Sequence, residues 1–154
     1  ESAMTWKPHV TVAAVIERDQ RFLVVEEHTE HGRRFNQPAG HLEDGESLIA
    51  AVKREVLEET GWHFDAQDLI AVQLWRKTPE HPSFLRFCFS GRLIEHDANR
   101  ALDPDIIATH WLTREQLAEN PAILRSPLVL KSIDEYLKHQ PLPLSVLHTF
   151  LDPA

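Results

Sequence analysis

The spacing of apolar and polar positions changes several times along the chain, and each change predicts an element. Residues 9–16, HVTVAAVI, are apolar and largely β-branched, which reads as a buried strand. A polar turn at 17–20 leads to a second such run at 21–27, and together they predict a β-hairpin. Residues 28–34 are polar with one glycine and predict a loop, and 35–39 lead as a short strand into a segment bounded by Gly40 and Gly45. From residue 48 the period becomes helical. Ile49, Val52 and Val56 share one stripe, Ser47 supplies an N-cap and Gly61 a left-handed stop, so a helix of about three and a half turns is expected.

Beyond Gly61, residues 69–77 and 83–95 predict two strands joined by a turn at 79–82. In the second, Leu85, Phe87 and Phe89 alternate with Arg86, Cys88 and Ser90, so one face is core and the other is free to look into a cleft. A polar loop at 99–105 precedes a short strand at 106–112. Thr113 to Gln116 form a capping box for a short helix ending before Pro121, and Ser126 and Pro127 open a last helix running to about residue 139. Residues 140–154 mix prolines with leucines and Phe150 and predict an extended tail packed on the body. This order of strands and helices predicts an α/β fold with one domain over 4–154; residues 1–3 read as a leftover of expression before Met4.

The helix at 48–60 breaks one local rule. Glu55, Glu58 and Glu59 fall on one arc, and the last two sit in the final turn, where the helix dipole favours cations. Each repulsive term is on the order of a few tenths of a kcal/mol, and Lys53 and Arg54 cannot neutralise all of it. A segment that obeys every other rule breaks one where function requires it. A divalent cation with hard oxygen ligands, Mg²⁺ or Mn²⁺, would turn the repulsion into coordination; a solvated acidic face is the alternative.

The spacing favours the cation. Gly40, five residues, Glu46, seven residues, then Arg54-Glu55-Val56-Leu57-Glu58-Glu59-Thr60-Gly61 resembles the Nudix box, G-x5-E-x7-R-E-U-x-E-E-x-G-U with U a bulky apolar residue. From average residue usage the fixed identities coincide by chance at roughly one start position in 10⁸ or fewer. Trp62, in the last U place where an aliphatic residue is usual, is the one departure. The resemblance implies the Nudix α/β/α sandwich with a mixed β-sheet, and hydrolysis of phosphoanhydrides with Mg²⁺ or Mn²⁺ as cofactor. By the same resemblance Glu55, Glu58 and Glu59 are metal ligands, the backbone carbonyl of Ala39 is a further one, and Arg54 pairs with Glu46 to orient them. An additional acid outside the box is expected in the 99–105 loop, Asp105 with Asp103 in reserve, and the general base stays open between Glu55, Glu59 and Asp105. A turn-forming role for Asp103-Pro104 is the alternative there.

The box does not choose the substrate. Candidates are Arg86, as a phosphate contact or an exposed strand arginine, and Trp75, for stacking on a heteroaromatic ring or for packing. His28 and His31 have a zinc-ligand spacing but no cysteine or histidine partners, which makes a surface loop the better reading. The flanks Lys7 to Ala13, Phe22 to Glu27, Asn36 to Glu43, Phe84 to Phe87 and Leu124 to Val129 resemble one bacterial branch of the family. Those enzymes release phosphate from nucleoside di- and triphosphates and from thiamine-type pyrophosphates. ADP-ribose hydrolysis, nucleoside triphosphate pyrophosphohydrolysis and a non-catalytic ligand sensor are the alternatives. A sensor usually loses box acids, and here all are kept.

Composition narrows the partners. At 154 residues and 42% hydrophobic the chain can bury a core of its own, and its net charge of -8 argues against a general nucleic-acid binder. A small-molecule substrate is expected, with no nucleic acid or membrane partner, in a monomer or homodimer. The single cysteine, Cys88, excludes an internal disulfide and fits a cytoplasmic location.

Overall fold

The structure is a computed structural model that describes residues 5–151, so the expected start at Met4 lies outside the described residues. Its elements run β1 (His9–Val15), β2 (Glu17–Arg18), β3 (Arg21–Thr29), β4 (Gly32–Asn36), β5 (Ala39–His41), α1 (Leu48–Thr60), β6 (Trp62–Trp75), β7 (Phe84–His96), β8 (Ile106–Leu112), α2 (Arg114–Ala118), α3 (Leu128–Leu137) and β9 (Leu142–Pro143). A mixed sheet has the order β5-β1-β7-β6-β9, with β1 and β7 parallel and the other neighbours antiparallel. In a second, antiparallel sheet β3 lies between β8 and the pair β2 and β4.

The two faces of β1 divide the core. Val12, Ala14 and Ile16 pack with Ala51, Val52 and Val56 of α1 and with Phe64 and Phe89. Ala13 and Val15 face Cys88, Phe22, Val24 and, from α3, Val129 and Ile133. Every one of these side chains is at least 96% buried, which accounts for the unbroken apolar run in β1: a strand covered on both faces does not alternate. The mixed sheet is thus a central layer between α1 and α3.

Several boundaries differ from the sequence reading, each for a physical reason. The expected hairpin of the first two runs does not form, because both edges of β1 are taken, by β5 and β7. The tight turn instead joins β2 to β3 through Asp19 and Gln20, both at positive φ, as a two-residue hairpin turn requires. The expected loop at 28–34 is another hairpin, with β3 paired to β4 and Thr29 Oγ1 donating to Gly32 O at 2.6 Å. Strand β6 starts seven residues before the expected position, since register shifts at His63/Phe64, Ala66/Asp68 and Leu69/Ala71 break the alternation that would have revealed it. The last helix opens at Leu128, with Pro127 at the cap and the Leu128 N–H bonded to Ser126 Oγ at 3.1 Å. In the tail, β9 pairs with β6, and Leu144 and Leu147 pack on the α1-side core, whereas Phe150 is 89% exposed. No helix among the described residues is long and apolar enough to cross a membrane.

Candidate active site

Helix α1 forms as its sequence dictates. Ser47 Oγ accepts from the Ala50 N–H at 3.1 Å, and Gly61, at φ 77°, donates its N–H to Leu57 O. The apolar stripe presses Ala51, Val52 and Val56 into the core, and that anchoring fixes which way the acidic arc points. It points at the exposed edge of β5 and at the 99–105 loop, which docks on the helix end by donating the Asp103 N–H to Glu58 O at 2.9 Å.

Three acids meet there. Glu55, Glu58 and Asp103 can each offer an oxygen within 4.8 Å of the others. Glu55 is buried and Asp103 half-buried, and burial, ahead of every other cause, raises the proton affinity of both. Gly40 makes the close approach possible, since a Cβ at that position would occupy the space of the Glu55 carboxylate. The sequence placed Asp105 ahead of Asp103 as the outside acid, but Asp103 is the one that joins the box acids. The Asp105 side chain is exposed, while its backbone carbonyl accepts from the His28 N–H at 2.8 Å.

Glu59 lies deeper, and its Oε1 accepts from the Ala39 N–H at 3.0 Å. Desolvation pushes its carboxyl up to about 9; the Ala39 bond opposes the shift, and the neighbouring Glu55, Glu27 and Asp103 add to it. Ala39 is available because of the ladder register. Leu42 donates to Val10 and Ala14 donates to Pro38, so bonded pairs alternate along β1 and β5 and the pair Ala13 and Ala39 is a non-bonded one. The N–H and C=O of Ala39 therefore both face away from β1, the N–H toward Glu59, and the carbonyl opens on the same side.

Arg54 ties the group together. It grips Glu46 twice, Nε to Oε2 at 3.0 Å and Nη2 to Oε1 at 2.7 Å, and its Nη1 donates to Glu55 at 2.7 Å and to Glu58 at 3.0 Å. Nη2 also reaches the His41 carbonyl at 3.0 Å. The Arg54 bond holds the Glu46 carboxyl below its usual range, and the same contacts raise Arg54 itself. A guanidinium bonded to Glu55 and Glu58 is an organic cation answering the repulsion of these acids. The donor set here, carboxylates and one backbone carbonyl, is all hard oxygen, which fits Mg²⁺ or Mn²⁺ and not a soft metal.

Two groups near the acids were missed in the sequence. Glu27 is buried, its Oε1 2.6 Å from Arg125 Nη1; burial raises its carboxyl, Arg125 opposes this, and Asp105 adds to it. A carboxylate ending a strand as apolar as 22–25 was the available signal. Neighbouring Glu26 bonds His110 at 2.8 Å and Arg33 at 2.8 Å.

Of the two substrate candidates, Arg86 sits elsewhere than expected. Arg86 does not look into an open cleft: it is 5% exposed beneath α3, where Nη2 donates to Gln37 Oε1 at 2.7 Å and Nε has no partner among the described residues. Its face of β7 is the one α3 covers, which the alternation of the strand could not reveal. Trp75 is half-buried, its ring stacked on Phe84 at 6.2 Å between centroids, and Phe84 stacks in turn on His9 at 5.3 Å. His28 and His31 lie on the exposed β3 to β4 hairpin.

Comparison with known proteins shows the family. A model of the NUDIX domain matches residues 7–131. The chain is 41% identical to Phosphatase NudJ of Escherichia coli (strain K12) over 145 residues, 94% of each protein. Among solved structures, a NUDIX hydrolase from Nitrosomonas europaea superposes with a TM-score of 0.90 at 42% identity, covering 94% of this chain and 98% of that one. A UDP-X diphosphatase superposes with a TM-score of 0.72 at 21% identity over 90% of this chain and 67% of that one, a likeness of fold.

Proposed function

From the premise that the chain belongs to the Nudix family and is a phosphohydrolase, we infer that it cleaves, with a divalent metal, the terminal phosphoanhydride of nucleoside di- and triphosphates and of thiamine-type pyrophosphates. The observation that carries this reading is the convergence of Glu55, Glu58 and Asp103 within 4.8 Å, beside a backbone carbonyl free to join them. The 41% identity to a phosphatase over 94% of the chain supports phosphate release as the outcome.

Such a reaction needs a positioned water, a base for its proton and neutralisation of the charge that grows on the bridging oxygen. Glu55, Glu58 and Asp103, with the Ala39 carbonyl, would hold Mg²⁺ or Mn²⁺, which when bound neutralises phosphate oxygens and acidifies water. Arg54, locked on Glu46, orients Glu55 and Glu58, and a fixed orientation of ligands is worth about 10–100-fold in activity. Glu59 is buried and accepts from the Ala39 N–H; without a cation its carboxyl holds a proton, and a divalent cation bound beside it would lower its proton affinity and leave it as the carboxylate that takes the proton of the attacking water. Asp105 stands outside this group as a charge near Glu27 and Asp103. A lone buried thiol, Cys88, supports work in a reducing compartment such as the cytoplasm.

Phosphate release from ATP, ADP, hydroxymethylpyrimidine pyrophosphate, thiamine pyrophosphate and ADP-ribose, each with Mg²⁺ and with a chelator, tests the reading. Metal-dependent phosphate from the first four is expected. Release confined to ADP-ribose, after phosphatase treatment of its products, would replace the substrate assignment. Silence across the panel with tight binding of one member would make the protein a sensor.

A further inference from the structure

Beside the N-terminal half of α3 lies a second cleft, of about 600 Å³, whose charge is opposite to that of the acid cluster. In a chain of net charge -8, its walls carry four basic side chains, Lys77, Arg114, Arg125 and Lys131, against one acid, Asp134. Asp134 is spent on Arg114, which grips it at 2.6 and 3.1 Å. Lys77 and Lys131 are exposed, and among the described residues neither has a carboxylate within ion-pair distance, although the charge of Lys131 helps to hold the Asp134 carboxyl below its usual range behind the Arg114 bond. Trp75 and Leu130 supply an apolar wall. Arg125 joins the two sites: it lines this cleft, bonds Glu27 at 2.6 Å, and its charge is felt at His41, whose backbone carbonyl holds Arg54. Glu27 in turn lies close enough to raise the proton affinity of Glu59.

We propose that this cleft receives the part of the substrate that remains after the terminal phosphate leaves, and that Lys77 and Lys131, with Arg125 at the junction, make the enzyme select triphosphates over diphosphates. The assignment rests on the phosphatase reading above. Cleaving a terminal anhydride leaves two phosphates on a nucleoside triphosphate and one on a nucleoside diphosphate or a thiamine-type pyrophosphate. Two lysines without a close ion-pair partner, beside an arginine, match the first case and are underused in the second. The Trp75 ring offers a stacking face to a planar base, which every nucleotide carries. Thiamine pyrophosphate brings a cationic thiazolium ring toward the same lysines, and like charges penalise it further.

The test compares ATP with ADP, which differ by one phosphate, at saturating Mg²⁺. The wild type is expected to show the lower KM for ATP. In the double variant Lys77→Ala/Lys131→Ala the KM for ATP should rise about fivefold, the scale of two exposed ion pairs, while the KM for ADP rises less and that for thiamine pyrophosphate falls. Binding of ATP to chelator-treated protein, followed by calorimetry, should weaken in the variant by a similar factor and lose much of its salt dependence. Both lysines are exposed, so a circular dichroism spectrum like that of the wild type is expected and confirms that the comparison is between folded proteins. Hydrolysis with an unchanged ratio of KM values, or an unchanged ATP affinity, would overturn the cleft assignment while leaving the phosphatase reading intact. Absence of hydrolysis in the wild type would overturn the reading on which it rests.

Discussion

The two sides of the mixed sheet treat a positive charge in opposite ways. On the α1 side, Arg54 stands within 4 Å of four carboxylates, Glu43, Glu46, Glu55 and Glu58. On the α3 side, Arg86 is buried with one amide oxygen for a partner, and burial lowers its proton affinity. The first arrangement has more negative charge than one guanidinium can answer, and the second has too little. Clustered carboxylates in excess of the one guanidinium are what a cation site would require, whereas the buried Arg86 is bonded to a neutral amide that ties it to α3: Gln37 passes the connection on through Val129 O at 2.7 Å.

Breaking the acid side should have the largest effect. Glu58→Gln keeps the size of the side chain and removes its charge, so metal-dependent phosphate release should fall by at least about tenfold with little change in melting temperature. Asp103→Asn should do the same, and Asp105→Asn should cost less, because only Asp103 shares the cluster. Equal losses at 103 and 105, or wild-type rates in Glu58→Gln, would dissolve the distinction. Next in size is Arg54→Ala. It should leave a folded protein and reduce activity about tenfold through misoriented ligands, with unchanged kinetics sinking the orienting role.

Gly40 and Gly91 separate function from folding on the same principle. A methyl group at Gly40 meets the end of the Glu55 side chain, which can swing aside, whereas at Gly91 it meets the backbone carbonyl of Asp65, which cannot. Gly40→Ala should therefore lower activity more than stability, and Gly91→Ala should lower stability by about 1–3 kcal/mol in denaturant unfolding. The reverse pattern would mean that Glu55 is held rigidly for a structural reason.

The unequal legibility of these regions has a physical cause. The acid side was readable because its residues are near in sequence: seven fixed identities between Gly40 and Gly61, with caps and stripe, determine where each carboxylate goes. Glu27 in β3, Lys131 in α3, and Lys77 and Arg125 in two loops meet only through the tertiary fold, so nothing local marks them as a group. Arg86 was misread for a related reason. Alternation in β7 separates its two faces but does not say that α3, forty residues on, will cover one of them. That Asp103 rather than Asp105 lies against the box acids was not legible either, because the backbone bond from Asp103 N–H to Glu58 O, a tertiary contact, docks the loop at that residue.

The smallest effect expected is on stability against pH, and it tests the acid side without measuring turnover. The folded-state pKa of Glu59 is raised, from an ordinary 4.5 to about 9. A folded protein that holds a proton the unfolded chain has released loses stability as pH rises through that window. Chelator-treated protein should therefore melt progressively lower between about pH 5 and pH 9, by a few °C, and Glu59→Gln, which mimics the protonated acid and can still accept from Ala39 N–H, should flatten the slope. Glu46, held down by Arg54, contributes with the opposite sign, so its share of stability is present above pH 4.5 and fades as the medium becomes more acidic. Added Mg²⁺ competes with protons for the acid group and should raise the melting temperature more at pH 9 than at pH 5. A flat chelated profile, or a larger Mg²⁺ effect at pH 5, would show that the buried acids of α1 are not held in wait for a cation, and the contrast with the α3 side would lose its meaning.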